Sequence, residues 1–314
     1  MITVSHSYIA TANSVRYCGA TPVFVDIERE TFNIDSELID AAIGPRTKAI
    51  LCVHQIGMPC DLARILPIAE KHSLPLVEDA ACATGSEILW NGKWEGIGKP
   101  HGDAACFSFH PRKVISTGDG GMITTKHKEW ETKFRLWRQH SMSVTDTVRH
   151  SSNEVIFETY PELGYNYRLT DVQAAMGREQ LKRLPELITR RRALASGYVE
   201  LLGNIPGLRV PFEPEWARSN WQSYCVRLPA NISQKRIMQL MRDGGVATAR
   251  GIMCAHREPA YEKEPWGAAG SLAQSERAQD ECILLPLYHH LTYEDQQVVA
   301  STLRSALTEL GARS

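Results

Sequence analysis

Short apolar runs alternate with longer amphipathic segments through the first 125 residues of the chain. The apolar runs, which are typical of short buried strands, lie at 22–26, 49–53, 74–77, 104–109 and 121–125. Helical patterns at 35–42 and 61–72 separate some of these runs. This order of strand and helix predicts an α/β fold with a mainly parallel sheet.

A second region begins with a long helical pattern from about 170 to 202, rich in Leu, Ala, Arg and Glu. A connector that contains Pro and Gly follows at 204–220. Beyond it come one strand pattern and two helical patterns, at 224–228, 233–241 and 293–310. We therefore predict a large domain over 1–205 and a smaller C-terminal α/β domain over 206–314. The polar stretch 140–152 has neither the apolar periodicity of a helix nor that of a strand, so it predicts a surface loop or a flap over a substrate.

Charge and composition exclude several classes of partner. Lys and Arg total 35 and Asp and Glu total 36, so the net charge of −1 gives no attraction to nucleic acid or to a membrane surface. No apolar run approaches the roughly 20 residues that span a bilayer, and the N-terminal segment lacks the residue order of a signal peptide. We expect a cytoplasmic protein whose eight scattered cysteines are reduced. The pair His289–His290 has no carboxylate or thiol at matching spacing, so no metal site is predicted.

One lysine and one aspartate stand where open α/β sheets place ligands. Lys113 lies in a turn between the apolar run 104–109 and the glycine cluster Gly118-Asp119-Gly120-Gly121, and Asp79 ends another apolar run. A lysine can form an imine with the aldehyde of pyridoxal phosphate, while a carboxylate keeps the pyridine nitrogen of that cofactor protonated. Taken singly, a solvated Lys113 and a helix-capping Asp79 are the commoner roles of such residues. Their combination with the glycine cluster favours the cofactor hypothesis.

Five motifs follow one another along nearly the whole chain. They are Glu78-Asp79-Ala80-Ala81, Phe107-Ser108-Phe109-His110-Pro111-Arg112-Lys113, the glycine cluster, Gly164-Tyr165-Asn166-Tyr167-Arg168-Leu169-Thr170-Asp171-Val172-Gln173-Ala174-Ala175 and Leu284-Leu285-Pro286-Leu287-Tyr288. In this order they resemble the DegT/DnrJ/EryC1/StrS aminotransferases, which act on nucleotide-linked sugars. The resemblance implies the fold of a pyridoxal-phosphate-dependent transferase of the aspartate aminotransferase type, with pyridoxal 5′-phosphate as cofactor.

The resemblance also implies roles in cofactor binding and catalysis. Lys113 matches the lysine that binds the cofactor aldehyde and moves a proton, and Asp79 matches the partner of the ring nitrogen. Tyr8 matches an aromatic residue that stacks on the ring face, and Ser108 matches a serine that binds the phosphate. Asn166 matches an asparagine that reaches the cofactor phosphate of the neighbouring subunit, which implies a homodimer with shared active sites.

Two further residues are candidates for substrate binding. Arg168 lies two positions after Asn166, and a guanidinium can grip a carboxylate or a phosphate with two bonds. His256 lies where the family brings residues of the small domain toward the active site. For His256, a hydrogen-bonded structural role is the alternative.

Two departures from the family pattern affect the expected cofactor site. Three residues after the ring-nitrogen aspartate, the family usually has a glutamine that bonds the phenolic oxygen of the cofactor. This chain has Cys82 there, and a thiol is a poor hydrogen-bond partner. The chain also begins at Met1-Ile2-Thr3-Val4-Ser5, inside the strand that leads to Tyr8, without the Gly-Thr turn whose backbone amides bind the phosphate. We therefore expect weaker cofactor binding and an exposed sheet edge.

The function that these residues imply is a ping-pong transamination. An amino acid, glutamate in view of the family, gives up its amino group, and a keto group of a nucleotide-activated sugar receives it. Two alternatives stay open. A pyridoxal-phosphate-dependent sugar dehydratase of the same superfamily is disfavoured, because relatives of that kind have histidine where this chain has Lys113. The other alternative is a catalytically silent subunit or regulator with the same fold.

Overall fold

The computed structural model describes residues 1–311, except for the side chains of Asp146, Thr147 and His150. The strands in chain order, β1 to β13, are Ile2–Val4, Val23–Val25, Ile50–Val53, Leu76–Asp79, Glu87–Trp90, Lys93–Gly96, Ala104–Ser108, Gly121–Thr125, Ala217–Arg218, Tyr224–Arg227, Ala249–Arg250, Gly267–Ala268 and Cys282–Leu285. The α-helices, α1 to α9, are Ala10–Tyr17, Ser36–Ala42, Leu62–Lys71, Lys128–Trp137, Asp146–Ser151, Asp171–Leu202, Gln234–Asp243, Ala273–Glu281 and Tyr293–Glu309. Short 3-10 turns lie at Gln55–Gly57, Ala255–Arg257 and Pro259–Glu262.

The largest sheet formed by residues 1–311 has seven strands, in the order β12-β2-β1-β3-β4-β7-β8. Neighbouring strands from β12 to β7 run parallel, and β8 is antiparallel to β7. All residues of β1 and β3 are buried, as expected for central parallel strands that are covered on both faces. The mainly parallel α/β fold predicted from the sequence is confirmed, and β1, β3, β4 and β7 end at one edge of this sheet.

The predicted elements agree closely with the observed ones. Every strand and helix predicted in both regions has a counterpart whose ends differ by two residues or fewer. Local apolar patterns therefore suffice to locate these elements, because their buried faces repeat at a regular spacing. The exact ends depend on caps and on neighbouring loops, which a pattern of apolar residues does not encode.

Helix α6, with 32 residues, is the longest helix in the described part of the chain. It begins with a capping box, in which the Thr170 hydroxyl accepts from the N–H of Gln173 and the Gln173 side chain accepts from the N–H of Thr170. Its buried residues lie in its second half, where Leu187 packs against Phe109 and Ile115, while Leu194, Ala195, Tyr198 and Leu202 belong to the hydrophobic core of the C-terminal part of the chain. Neither α6 nor any other helix within residues 1–311 is long and apolar enough to cross a membrane.

The second region has a sheet and a hydrophobic core of its own. Strand β13 lies between β10 and β11, and both pairings are antiparallel. Tyr198 of α6, Tyr224 of β10, Ile237 of α7 and Leu303 of α9 are fully buried in one cluster. The hydroxyl of Tyr198 donates to the carbonyl of Pro286 at 2.8 Å. Helix α6 therefore contributes side chains to the hydrophobic core that it shares with β10, α7 and α9.

Two short strands of the second region pair with strands of the first. Strand β9 pairs with β5, and β12 extends the large sheet beside β2. The chain therefore returns twice to the first region after residue 205. The division into domains at 1–205 and 206–314 stays a prediction, and residues 312–314 lie outside the described part of the chain.

Several observed elements differ from the sequence prediction or are absent from it, among them α5 and the hairpin β5–β6. The stretch 140–152 contains the six-residue helix α5, which begins after Thr145, whose side chain accepts from the N–H of Val148. The prediction of an irregular loop is wrong over this helix, because a single capped turn is too short to show a helical period. The hairpin β5–β6 is absent from the prediction although Asn91-Gly92, with φ values of 47° and 78°, is a strong two-residue hairpin signal.

Candidate active site

Asp79 is the last residue of β4 and is paired with Cys106 of β7 in the sheet register. Its Oδ2 accepts a hydrogen bond from Oγ1 of Thr11 at 2.7 Å, and its Oδ1 accepts from the N–H of Ala81 at 3.1 Å. The hydroxyl of Thr11 is in turn 2.8 Å from that of Ser7, which follows β1. These donors fix the orientation of the Asp79 carboxylate at the carboxyl edge of the sheet.

The neighbouring carboxylate, Glu78, lies on the opposite face of β4 and has a different role. Its Oε1 accepts from the N–H of Gly102 at 2.8 Å, and its Oε2 is 2.9 Å from Nε2 of His54. Because Nδ1 of His54 accepts from the N–H of Cys60 at 2.9 Å, the ring proton is on Nε2 and is donated to Glu78. Both side chains have no exposed surface. Glu78 therefore stabilises the sheet, and Asp79 is the carboxylate that a ligand can reach.

Lys113 lies in the turn that follows β7. Its N–H donates to the carbonyl of His110 at 2.9 Å, and the N–H of Thr117 returns to the carbonyl of Phe109 at 3.0 Å. The side chain is half-buried, and its Nζ lies 3.1 Å from Sγ of Cys82. The turn therefore directs the amine inward, toward the loop that follows β4.

The thiol of Cys82 connects the two predicted catalytic groups. Burial raises the pKa of this thiol, the adjacent charge of Lys113 offsets part of the increase, and the carboxylate of Asp79 adds to it. The thiol is therefore protonated at neutral pH. Cys82 follows Asp79 by three residues and contacts Lys113, and β4 pairs with β7, so the fold places Lys113 and Asp79 at the same edge of the sheet, as the sequence predicts for residues at the carboxyl ends of neighbouring strands.

Tyr8 and Ser108 lie at the same edge of the sheet. Tyr8 stands between the end of β1 and the start of α1, and 71% of its surface is exposed, so its ring is open to a ligand. Ser108 is the last residue of β7, and its Oγ accepts from the N–H of His110 at 3.3 Å. Ser108 therefore lies beside the turn that carries Lys113, while the ligand contacts of both residues stay predictions.

The glycine cluster after Lys113 packs against the motif that opens α6. Gln173 donates from Nε2 to the carbonyl of Asp119 at 2.8 Å. Gly120 has a φ of 148°, and a Cβ there would lie 2.9 Å from Cδ1 of Leu169 and 2.7 Å from Oγ1 of Thr117. Glycine is therefore required at position 120 because the backbone passes close to the side chains of Thr117 and Leu169, not because it passes close to a bound ligand.

Asn166 and Arg168 belong to an extended segment on the surface. Asn166 forms a β-bridge with Gln139, and the rings of its neighbours Tyr165 and Tyr167 stack with their centroids 5.0 Å apart. The side chains of Asn166 and Arg168 are both exposed. Their predicted roles therefore depend on a ligand or a second subunit that reaches this surface.

His256 is held by hydrogen bonds at both ring nitrogens. Its Nδ1 is 2.6 Å from Oγ of Ser5, and its Nε2 is 3.1 Å from Oε1 of Glu276. The ring also lies near those of Phe24 and Trp266, with centroid distances of 6.4 and 5.5 Å. His256 is thus linked to the predicted cofactor site through Ser5, at the end of β1. This arrangement matches the structural alternative, while its substrate role stays a prediction.

Three residues of the site were not among the sequence candidates. Ser7 and Thr11 form the hydroxyl chain to Asp79, and their spacing of four across a helix start is the signal that could have identified them. Asn220 donates from Nδ2 to the carbonyl of Cys82 at 2.7 Å. Because Asn220 and Cys82 are 138 residues apart, no local pattern indicates their contact.

Comparisons with known proteins agree with this geometry. The model of the DegT/DnrJ/EryC1/StrS aminotransferase family matches residues 1–304. The GDP-perosamine synthase of Caulobacter vibrioides is 37% identical over 98% of this chain and 79% of its own length. The aminotransferase TlmJ of Streptoalloteichus hindustanus is 32% identical and superposes with a TM-score of 0.87 over 99% of this chain and 80% of its own. The structure of DesI with its TDP-sugar product is 30% identical, with a TM-score of 0.85 over 99% of this chain and 76% of its own. This chain therefore belongs to the DegT/DnrJ/EryC1/StrS aminotransferase family and is a pyridoxal-phosphate-dependent aminotransferase.

Proposed function

We propose that this protein transfers an amino group from L-glutamate to a keto group of a nucleotide-linked sugar. The observation that carries the proposal is that β4 and the turn after the neighbouring β7 bring the Asp79 carboxylate and the Lys113 amine to one edge of the sheet, with Nζ of Lys113 3.1 Å from Sγ of Cys82. The substrate class is supported by two similar proteins, one named as a GDP-perosamine synthase and one solved with its TDP-sugar product. The motifs on which the family resemblance rests include both Lys113 and Asp79.

The residues at the carboxyl edge of the sheet fit pyridoxal phosphate. Lys113 offers an amine to the aldehyde, and Asp79, anchored by Thr11, offers a carboxylate to the ring nitrogen. Tyr8 offers an exposed ring to the face of the cofactor, and Ser108 offers a hydroxyl to its phosphate. When bound, the cofactor supplies an electron sink for the charge that develops at the α-carbon of the amino acid.

Lys113 is the residue that moves a proton in this proposal. Its Nζ would accept the proton from the α-carbon of the donor and return it to the aldehyde-derived carbon of the cofactor, two bonds away through the amino nitrogen, which requires a neutral amine. The neighbouring Cys82 thiol is protonated and places no negative charge beside Nζ. A carboxylate in place of this thiol would favour the ammonium form, which cannot accept a proton.

Arg168 and His256 are the proposed substrate contacts. The exposed guanidinium of Arg168 can bind the carboxylate of the amino acid or the diphosphate of the sugar nucleotide with two bonds. For His256, substrate contact would require the ring to exchange its bond to Glu276, whose side chain is half exposed. The bond to Ser5 would then keep the imidazole in place.

Spectroscopy of the two half-reactions tests the proposed function. With pyridoxal phosphate the purified protein should turn yellow, L-glutamate should bleach the colour, and a nucleotide-linked keto sugar should restore it. Mass spectrometry should detect 2-oxoglutarate after the first step and the amino sugar after the second. D-glutamate is the matched control and should leave the colour unchanged. A protein that stays colourless with added cofactor would support the silent-subunit alternative, and colour that no amino acid bleaches would refute transamination.

We also propose a homodimer in which Asn166 of each subunit reaches the cofactor phosphate of the other. The support is the apolar surface around Asn166, where Leu163, Tyr167 and Val172 are 95%, 74% and 76% exposed. Large apolar side chains clustered on a surface are typical of protein interfaces. A second copy is the partner that would place Asn166 beside a cofactor.

Dilution tests this shared site. As the protein is diluted below the dissociation constant of the dimer, bound cofactor should be released together with the loss of dimer, because each phosphate then loses a ligand from the partner. Sedimentation and absorbance measured on the same samples would report both events. Asn166→Ala should weaken cofactor retention about tenfold, the loss of one hydrogen bond to a charged group, whereas the exposed Asn204→Ala should not. Retention that is independent of protein concentration would contradict the proposal.

A further inference from the structure

The segment Asn220–Gln222, which enters β10, hydrogen-bonds to both loops of the candidate active site. Asn220 donates from Nδ2 to the carbonyls of Cys82 and Thr84, at 2.7 and 3.0 Å. Gln222 donates from Nε2 to the carbonyl of Arg112 at 2.5 Å. Cys82 and Lys113 are the two side chains in contact across the site, and Lys113 immediately follows Arg112. The segment therefore holds the backbone on both sides of that contact.

This segment is itself fixed by Arg191 of α6. Arg191 donates from Nε to the carbonyl of Trp221 and from Nη2 to that of Gln222, both at 2.8 Å. Burial lowers the pKa of Arg191 to about 10, so the guanidinium is still charged at neutral pH. Hydrogen bonds from a charged donor are roughly twice as strong as neutral ones. The N–H of Gln222 also donates to Oδ1 of Asn220 at 2.8 Å, which closes the turn.

Two features of Asn220–Gln222 are unfavourable to folding. The buried residue Trp221 has a φ of 52°, in the left-handed region that large side chains rarely adopt. Oε1 of Gln222 is buried and has no hydrogen-bond partner among the described residues. Strained backbone and unpaired buried polar atoms both oppose folding, and backbone strain concentrates where a precise geometry serves a function. Here both lie in the three residues that contact the two loops.

We infer that Gln222 is a positioning residue for Lys113, an inference that rests on the proposed role of Lys113 in binding the cofactor. Gln222 does not touch the amine. It fixes the Arg112 carbonyl, and with it the peptide unit from which the Lys113 side chain extends, so that Nζ lies beside Cys82. Loss of the Nε2 donor would let this turn move, and a displacement of about 1 Å at a reacting atom can cost up to about 10²-fold in rate.

The test compares two substitutions at position 222. Gln222→Met removes both the donor and the unpartnered oxygen, and Gln222→Glu keeps the shape but removes the donor. Both variants should slow the fixation of pyridoxal phosphate to Lys113 by borohydride about tenfold or more, and shift the pH dependence of the yellow absorbance. Both should lower kcat and leave the KM of the sugar nucleotide unchanged. Gln222→Met should keep or raise the melting temperature, because a buried unpaired oxygen is gone.

A matched control is Gln239→Met, on the exposed surface of α7, which should leave the fixation rate and the absorbance unchanged. A fixation rate at Lys113 like that of the wild type in both position-222 variants would overturn the inference, and so would a lower melting temperature with unaltered pH dependence. If borohydride fixes no cofactor at Lys113 in the wild-type protein, the proposed function itself fails. Measurement of the wild type beside the variants therefore separates the two failures.

Discussion

Replacing Lys113 with alanine is expected to prevent attachment of pyridoxal phosphate and to lower transamination at least about 10³-fold. The substitution removes the amine that lies 3.1 Å from Cys82 and that the cofactor aldehyde requires. Lys113→Arg should lose activity to a similar extent, because a guanidinium keeps the positive charge but neither attaches to an aldehyde nor accepts a proton at neutral pH. The yellow absorbance, the mass of the borohydride-treated protein and the rate of glutamate-dependent bleaching measure the loss.

The control for this prediction is Lys126→Ala. Lys126 follows β8, and its Nζ is 3.3 Å from the carbonyl of His101 and 3.7 Å from Asp103, which precedes β7. It therefore lies at the opposite edge of the sheet, and its loss should leave absorbance and bleaching unchanged. The circular dichroism of the Lys113 variants should match that of the wild type, because the Lys113 side chain that they replace is only half-buried. A Lys113→Ala protein that turns yellow and transaminates would exclude Lys113 as the catalytic lysine.

Most strands of the large sheet could be predicted from the sequence, because each is marked by an apolar run of neighbouring residues. Runs such as 50–53 and 104–107 are apolar throughout, which is what burial on both faces requires of a parallel strand. Strand β12 could not be predicted in the same way, since two residues with little apolar surface, Gly267 and Ala268, show no pattern. Their place beside β2 is determined by backbone pairing with distant residues, and only the folded chain brings those residues together.

The site was predictable to the extent that its residues follow strands. Asp79 and Lys113 both come directly after or at the end of a buried strand, so a parallel sheet brings them to one edge. The spacing of Ser7 and Thr11 indicates only their own pairing, whereas no local pattern indicates the bond from Thr11 to Asp79 or that from Asn220 to Cys82, whose partners are 68 and 138 residues away. The positive φ of Trp221 is equally invisible, because left-handed backbone is normally anticipated only at Gly or Asn.

Cys82 shows how a single substitution changes a local network. From the sequence, a thiol at this position predicts a weak or lost contact with the cofactor's phenolic oxygen. The structure adds that the thiol lies against Nζ of Lys113, with its backbone carbonyl held by Asn220. A polarisable sulfur can contact the amine without carrying charge, since burial keeps it protonated. The position is thus packed against Lys113, the proposed catalytic lysine, even without a strong hydrogen-bonding side chain.

Asp79→Asn is expected to lower transamination about 10²- to 10³-fold, because removing one partner of a desolvated charge pair costs about 3–5 kcal/mol. The amide is nearly the same size as the carboxylate, and its single oxygen can still accept from Thr11 or from the N–H of Ala81, which donate to different oxygens of Asp79. It cannot compensate the positive charge of a protonated pyridine nitrogen, so the ring would lose its proton and withdraw electrons less strongly. Attachment of the cofactor to Lys113 should persist, with the absorbance band weakened or shifted, while the rate of bleaching by glutamate falls.

Two further substitutions separate the charge of Asp79 from its orientation. Thr11→Val keeps the carboxylate but removes the hydroxyl that donates to it at 2.7 Å, so we expect a smaller loss of about tenfold. Asp103→Asn removes a carboxylate from the opposite edge of the sheet, where it accepts from the N–H of Leu76 and from His127, and should leave the bleaching rate unchanged. Half-reaction rates measured across this series should fall in the order wild type, Thr11→Val, Asp79→Asn. Equal rates for Asp79→Asn and wild type would mean that the pyridine nitrogen has another partner, and the carboxylate at the end of β4 would then serve only to hold Thr11 and α1 against the sheet.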